Sequence, residues 1–395
     1  MENKTKGIII VTPWFGEFAG GAETLAKSMA VELNKRGIEV IVFTTCSKSP
    51  YDSWWKNYYE EKIYKVYNIE THRFSIGAEK NKIKYESALM KIGHNIKLST
   101  EEQEYFFFCG INSDNLVRAL ESYVDNYEVL ALPYFYGLTH STVKTYPNKI
   151  SIIPCFHNEE QFNWSPTEKL LSDAKNIFYN SIEEKEMTIK KYGNVIGKKC
   201  IEGIVTGVGV EPVNQINYTT NKILPFPYFV YVGRKEQGKN VHGLIEWFRK
   251  YKSSFSNDSR LVFLGGGDQK LIPKDDFFID YGFVSETDKK NIIENSLGLI
   301  NLSKNESFSI VIMEAWLNSV PVVVDGKCPV TKGHAIRSNG GLFPETSDEF
   351  ILALDYLITH PEQAKLMGLN GKRYVENNFS FDTVLEKYLI QLNML

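Results

Sequence analysis

Asn305-Glu306-Ser307-Phe308-Ser309-Ile310-Val311-Ile312-Met313-Glu314-Ala315-Trp316 sets two carboxylates into an otherwise apolar stretch. From Phe308 to Leu317 only Ser309 and Glu314 are polar, so the pattern predicts a helix that is apolar all round and therefore buried. Asn318-Ser319 end it ahead of Pro321. A buried Glu314 is costly unless a Lys or Arg faces it or a polar ligand fills the space it points into. Glu306 falls just ahead of the helix. The backbone N–H groups of Ser307, Phe308, Ser309, Ile310 and Val311 then stand at a helix N-terminus, a ready cradle for phosphate. The plain structural alternative is a salt-bridged Glu314 and a Glu306 that merely neighbours an N-cap.

The whole chain sets bounds on that reading. At 395 residues it exceeds one ordinary core, which points to two domains. Its 43% hydrophobic and 24% charged residues are those of a soluble globular protein, and a net charge of -3 makes no electrostatic case for nucleic acid as a partner. The five cysteines are scattered, odd in number and without a CxxC pair, which argues against a disulfide framework or a structural zinc and fits a reducing cytosol. Gly7 to Val11 is too short for a signal-peptide core, and no stretch approaches the ~18 apolar residues of a spanning helix. The expected location is cytoplasmic, with any membrane contact peripheral.

Outward from the two glutamates, buried apolar runs alternate with helical patterns, as in a parallel α/β fold. Gly7 to Val11 and Ile38 to Thr44 read as strands around a helix from Ala22 to Arg36. The loop between them brings Gly20 and Gly21 to that helix's N-terminus, yet it lacks GxGxxG, and Thr44-Thr45 stand where a dinucleotide site would carry an acid. Further strands are expected at 129–133, 150–156 and 177–181, and His157 follows the second of these. Strands at 228–232, 261–264, 279–284, 297–302 and 322–324 make the second half. Gly233-Arg234-Lys235-Glu236-Gln237-Gly238-Lys239 puts two cations, Arg234 and Lys239, at a strand-to-helix turn where a diphosphate fits. Between residues 46 and 110 the pattern is least regular. Trp54, Trp55, Tyr58, Tyr59, Tyr64 and Tyr67 suit either sugar faces or a local hydrophobic cluster. Tyr85, Leu89, Ile92 and Ile96 among lysines suggest a basic amphipathic helix over 80–97, suited to an anionic membrane or to solvent.

The segment E-S-F-S-I-V-I-M-E, glutamates at 306 and 314, resembles the signature of retaining glycosyltransferases of the GT-B fold, the family called GT4 or glycosyl transferases group 1. Ser307-Phe308-Ser309 stands where that family commonly has Gly-Phe-Gly, and Asn240 where it commonly has a glycine after the lysine. The resemblance also takes in Gly20-Gly21, the Arg234 and Lys239 pair, His157, Gly282-Phe283-Val284 and the closing helix from Phe381. It implies an α/β chain of two facing Rossmann-like domains with an interdomain cleft. The acceptor domain would span 1–211, a linker 212–224, the donor domain 225–380, and a helix over 381–395 would cross back to the first domain.

On that resemblance the reaction is transfer of a sugar from a nucleotide-sugar donor to a saccharide or lipid-linked acceptor. Glu306, His157, Arg234 and Lys239 take catalytic roles, Glu314 holds the ribose, and Gly20, Gly21, Gly233, Val284 and residues Ser307, Phe308, Ser309, Ile310 and Val311 line the donor. No Asp-x-Asp motif is present, so neither a metal nor any other cofactor is expected. Cell-surface glycan or lipid-linked oligosaccharide assembly is the expected setting. A sugar-nucleotide epimerase of the same fold and a non-catalytic nucleotide-binding subunit remain as alternatives.

Overall fold

The computed structural model describes residues 5–17, 20–77, 80–212 and 224–395. The expected linker lies outside them except for Pro212 and Leu224. The chain divides into two compact units, Met1–Gly209 with Val384–Leu395, and Val210–Thr383.

In the first unit, β1 (Gly7–Val11), β2 (Glu39–Thr45), β3 (Lys62–Val66), β4 (Ile69–Phe74), β5 (Tyr127–Ala131) and β6 (Ile150–Ile152) form a sheet of order β3-β4-β2-β1-β5-β6. Only the β3 and β4 pair is antiparallel. Ile8, Ile9, Ile10 and Val11 are wholly buried, as a β-branched run without polar alternation requires of a strand covered on both faces. A short parallel pair, β7 (Phe178–Tyr179) and β8 (Ile204–Val205), lies beside β6 through an Ile152 to Ile177 bridge. The last helix, Phe381–Gln391, brings Tyr388 against Phe178, with Thr206 donating to its hydroxyl at 3.1 Å.

The second unit is parallel throughout. β9 (Tyr228–Val232), β10 (Arg260–Leu264), β11 (Phe278–Gly282), β12 (Gly298–Asn301), β13 (Val322–Val324) and β14 (Gly341–Leu342) pair in the order β11-β10-β9-β12-β13-β14. In each sheet the strand order reverses beside the unit's first strand, between β1 and β5 and between β9 and β12. Loops leaving the strand C-termini at such a reversal are where open α/β sheets take ligands.

Three expectations change. The strand expected over 150–156 stops at Ile152, because Pro154 has no N–H to donate and Cys155 turns to φ +56°. His157 therefore lies five residues past the strand, on a loop. The two-glutamate helix runs Ile310–Leu317, because Ser309 sits at φ +73° and blocks helical geometry ahead of it. Ser307 and Phe308 are loop residues, and the helical N–H cradle begins at Ile310. That helix is also not buried all round: Ile310, Val311 and Glu314 lie on a face that is only partly covered, while Ile312, Met313, Ala315, Trp316 and Leu317 are inside.

The third concerns the basic amphipathic helix expected over 80–97: the helix runs Lys80–Gly93, so Ile96 lies beyond its end. Tyr85 is buried and Ile92 packs on the core, but Leu89 and Ile96 are exposed. Three of its lysines have partners: Lys82 lies 3.7 Å from Glu86, Lys91 pairs with Glu102, and Lys84 stands over Tyr105. Among the described residues no helix is long and apolar enough to cross a membrane.

The helix Ile310–Leu317 is seated by the helix Pro361–Asn378, whose Gly368 and Gly371 lie directly against Ser319 and the Trp316 ring. Trp316 is fully buried and donates its indole N–H to Gly340 O at 2.9 Å. A Cβ on Gly371 has no room unless that ring moves. Gly371→Ala should therefore destabilise the second unit by about 1–3 kcal/mol, read as a lower midpoint in chemical denaturation. An unchanged midpoint would show that the ring swings aside freely.

Candidate functional site

At the β9 and β12 reversal, two turns 67 residues apart in sequence meet. β9 runs into Gly233, Arg234 and Lys235, then a 3-10 turn over Gln237–Lys239 that delivers Asn240 to the start of the helix Val241–Ser254. Asn240 takes φ +53°, the left-handed region that explains the glycine common here. Its side chain donates to Leu302 O at 3.1 Å and ties this turn to the loop after β12. Across that tie, Lys239 Nζ meets Glu306 Oε1 at 2.8 Å. Arg234, on the same turn, is 3.0 Å from Glu236 and about half exposed. The structure thus brings Lys239 and Glu306 together, with Arg234 on the turn that carries the lysine.

Ser309 occupies a left-handed position that favours glycine. The strain is held by a buried hydrogen bond, Asn301 Nδ2 donating to Ser309 Oγ at 2.9 Å. Phe308 is buried edge-on to His334 and Phe379. His334 is a core group behind that loop. Its Nδ1 lies 2.9 Å from the Tyr374 hydroxyl, Nε2 is buried without a partner, and burial pushes its pKa down to about 3, so the ring is neutral.

Glu314 has the counter-ion its burial demands, Lys289 Nζ at 2.9 Å from Oε1. Its other oxygen, Oε2, is buried without a partner. Burial raises the Glu314 pKa against the pull of Lys289. Burial works to lower that of Lys289, but Glu314 and Glu286 outweigh it and the ammonium is held charged. One oxygen is thus pinned and the other left as an acceptor for a hydroxyl.

The turns after β9 and β10 lie backbone to backbone: a Cβ on Gly265 or Gly267 would overlap the carbonyls of Gly233 or Lys235. Lys235 is wholly buried there, donating to Gly265 O and Asp280, both at 2.6 Å, and Asp280 also accepts from Gly282 N–H. Phe283, 68% exposed as a residue, lies over Gly266, and Val284 beside it is half-buried. Sequence reasoning had no means of selecting Lys289 or Lys235 from so many lysines. Phe283 lay within the quoted Gly-Phe-Val segment.

In the first unit, Gly20 and Gly21 open the helix Gly21–Lys35, and Glu23 folds back over Gly20, so this N-terminus already carries a carboxylate. His157 is about one-third exposed, with Nδ1 3.8 Å from Glu159 Oε1. That same oxygen accepts the Tyr134 hydroxyl at 2.5 Å. The His157 loop is fastened by Glu184, a buried carboxylate that takes the Phe156 N–H at 2.6 Å and the Asn180 N–H at 2.5 Å. Ser181-Ile182-Glu183-Glu184 has the Ser-x-x-Glu spacing of a capping box, which was the available signal. Here the glutamate reaches beyond the cap to the loop after β6. Among the described residues no group of three or more His, Cys, Asp or Glu is placed to hold a metal ion.

Burial raises Glu184 from the ordinary 4.5 to about 8, against backbone N–H groups that hold it down. The native state therefore binds more protons than the unfolded chain between those values, and stability falls as pH rises through that window. Differential scanning fluorimetry should show the thermal midpoint declining from about pH 5 to about pH 8, with Glu184→Gln flattening the decline. Parallel profiles would refute this.

Residues 219–374 match the family model described as glycosyl transferases group 1. Among curated proteins, glycosyltransferase 1 domain-containing protein 1 of Xenopus tropicalis is 31% identical over 108 residues, 27% of this chain and 30% of that one. The alpha-1,3/1,6-mannosyltransferase ALG2 of Dictyostelium discoideum is 23% identical over 237 residues, 54% of each chain. Such matches span between about a quarter and about half of the relatives' lengths. Solved structures match over nearly the whole chain. The trehalose-6-phosphate synthase OtsA has a TM-score of 0.72 at 12% identity, covering 98% of this chain and 99% of that one. Anabaena Alr3699/HepE, in complex with UDP and glucose, has a TM-score of 0.66 at 13% identity, covering 99% and 100%. Sequence and fold agree: residues 219–374 match the glycosyl transferases group 1 model, and the chain that carries them has the GT-B fold of the solved structures it resembles.

Proposed function

We propose that this protein is a retaining glycosyltransferase that moves a sugar from a nucleotide diphosphate sugar, a UDP- or GDP-sugar, to a hydroxyl acceptor in cell-surface glycan or lipid-linked oligosaccharide assembly. The observation that carries the reading is the Lys239 to Glu306 contact at the β9 and β12 reversal, which joins the cationic turn to the two-glutamate loop. The complex of Anabaena Alr3699/HepE with UDP and glucose, and the mannosyltransferase name of the Dictyostelium relative, support a nucleoside diphosphate and a hexose.

In this reading Arg234, Lys239 and the N–H groups from Ile310 onward receive the diphosphate. When the bond from the anomeric carbon to the phosphate oxygen breaks, its electron pair stays on the diphosphate, where these groups neutralise the growing charge. The acceptor hydroxyl oxygen bonds to the anomeric carbon and passes its proton to the departing phosphate oxygen. Glu306 orients the transferred sugar and holds Lys239 in place. Glu314, with one oxygen held by Lys289, accepts from the ribose through the other. Val284 and the exposed Phe283 ring serve the base. His157 keeps the role the resemblance assigns it, as a donor-orienting group or proton relay.

Calorimetric titration with UDP, GDP, ADP and TDP in the absence of metal should give selective binding of one nucleotide; binding of none would refute the reading. Glu314→Ala should weaken that binding roughly ten- to a hundredfold, the worth of ~1.5–3 kcal/mol of charge-assisted hydrogen bonding. Glu306→Gln should instead lower kcat on the order of a hundredfold with nucleotide affinity little changed. Equal effects of both changes on both parameters would undo this division. With the two cations in the place of a divalent ion, turnover should survive a chelator. Activity lost to the chelator and restored by magnesium would overturn that.

A further inference from the structure

The chemistry above leaves unused a cluster of rings at the C-terminal edge of the first unit's sheet. Trp14, on the loop leaving β1, lies 5.5 Å from Trp54 on the loop leaving β2 and 4.9 Å from Tyr136 beyond β5, measured between ring centroids. Trp54 in turn meets Tyr136, Trp55 and Tyr85 at 5.5, 5.9 and 5.5 Å. β1 and β5 flank the reversal of strand order, so these rings stand where an open α/β sheet takes its ligand.

Beside them opens a cavity of about 270 Å³ whose lining includes Asp52, Trp54, Trp55, Tyr85, Glu86 and Leu89. It is a shallow depression largely open to solvent, with room for about one ring. The indole N–H groups are spent on the backbone, Trp54 donating to Pro50 O at 3.1 Å and Trp55 to Cys109 O at 3.2 Å. Trp14 and Tyr85 are buried, so what the cluster offers a ligand is the exposed part of the Trp54 and Trp55 faces. The rim supplies acceptors. Asp52 is fixed by the Ser49 hydroxyl at 2.6 Å on one oxygen and faces Lys48 at 3.4 Å on the other; the Ser49 hydrogen bond first, then Lys48, hold its pKa below the ordinary value. Glu86 is about half exposed and only loosely tied to Lys82 at 3.7 Å.

Aromatic faces beside ionised carboxylates match a pyranose, whose C–H face stacks on a ring while its hydroxyls donate to carboxylates. A phosphate or an anionic lipid headgroup would have to part the rim's ion pairs, Lys48 with Asp52 at 3.4 Å and Lys82 with Glu86 at 3.7 Å, and meet the carboxylates those lysines leave. We infer that this cavity is a carbohydrate subsite that takes one neutral pyranose ring of the acceptor. That the ring belongs to the acceptor rests on the function proposed above; that a pyranose binds here does not.

The test is saturation-transfer NMR on the full chain with methyl glucopyranoside, methyl mannopyranoside and methyl galactopyranoside, with nucleotide calorimetry on the same samples. At least one glycoside should receive saturation at its ring C–H protons, with a dissociation constant on the order of 1 mM. Trp55→Ala should abolish the signal. Because that ring is partly built into the core, the paired rim change Asp52→Asn with Glu86→Gln serves as a second variant. It should weaken the glycoside at least tenfold and leave nucleotide affinity unchanged. Glycoside binding in a protein that binds no nucleotide would sustain this subsite while refuting the proposed transferase. Three silent glycosides would overturn the subsite, as would a signal unaltered by the rim change or displaced by anionic phospholipid vesicles.

Discussion

A parallel sheet covered on both faces leaves its polar chemistry few places to go. Strands such as β1 and β12 are apolar almost throughout, so side chains that must meet a ligand are confined to the loops at the strand ends. Where strand order reverses, neighbouring loops diverge to opposite faces and leave a crevice. The Lys239 to Glu306 ion pair sits at that reversal in the second unit, and the Trp14, Trp54 and Tyr136 rings sit at the equivalent place in the first. Connectivity alone thus selects which of many loops are placed to meet a ligand.

Those loops are held by backbone that resists relaxing. Asn240, Ser309 and Cys155 all take left-handed conformations without being glycine, at a cost of order 1–3 kcal/mol each. Each has a local tether: Asn240 to Leu302 O, Ser309 to Asn301, and Cys155 Sγ to the Asn180 amide at 3.2 Å. A side chain that bonds across the turn recovers part of what a glycine would have given by flexibility, and it leaves the loop with fewer conformations.

The buried charges serve the same end. Replacing a pair such as Lys235 and Asp280 by apolar residues often costs nothing in stability, whereas removing one partner is severe. Their value here is positional. Lys235 joins the turns after β9 and β10, Lys289 sets one oxygen of Glu314 and leaves the other bare, and Glu184 ties the His157 loop to the end of β7.

Much of this was legible beforehand. Runs such as Gly7 to Val11 and Tyr228 to Val232 announce buried strands because β-branched and aromatic residues without alternation suit few other structures. Two glutamates in an apolar stretch mark unusual chemistry because burial makes a carboxylate costly, and two cations at a glycine turn mark it because they gather positive charge where backbone N–H groups also point. What the linear order cannot carry is which distant groups meet. Lys239 finds Glu306 across 67 residues, and Lys289 rather than another lysine finds Glu314, because strand order and helix packing set those distances. The helix begins at Ile310 and His334 is enclosed behind Phe308 for the same reason: one left-handed residue and the shape of a core, neither expressed in local periodicity. Composition and period determine which segments must be buried and which turns are polar; only tertiary packing decides which polar groups face one another.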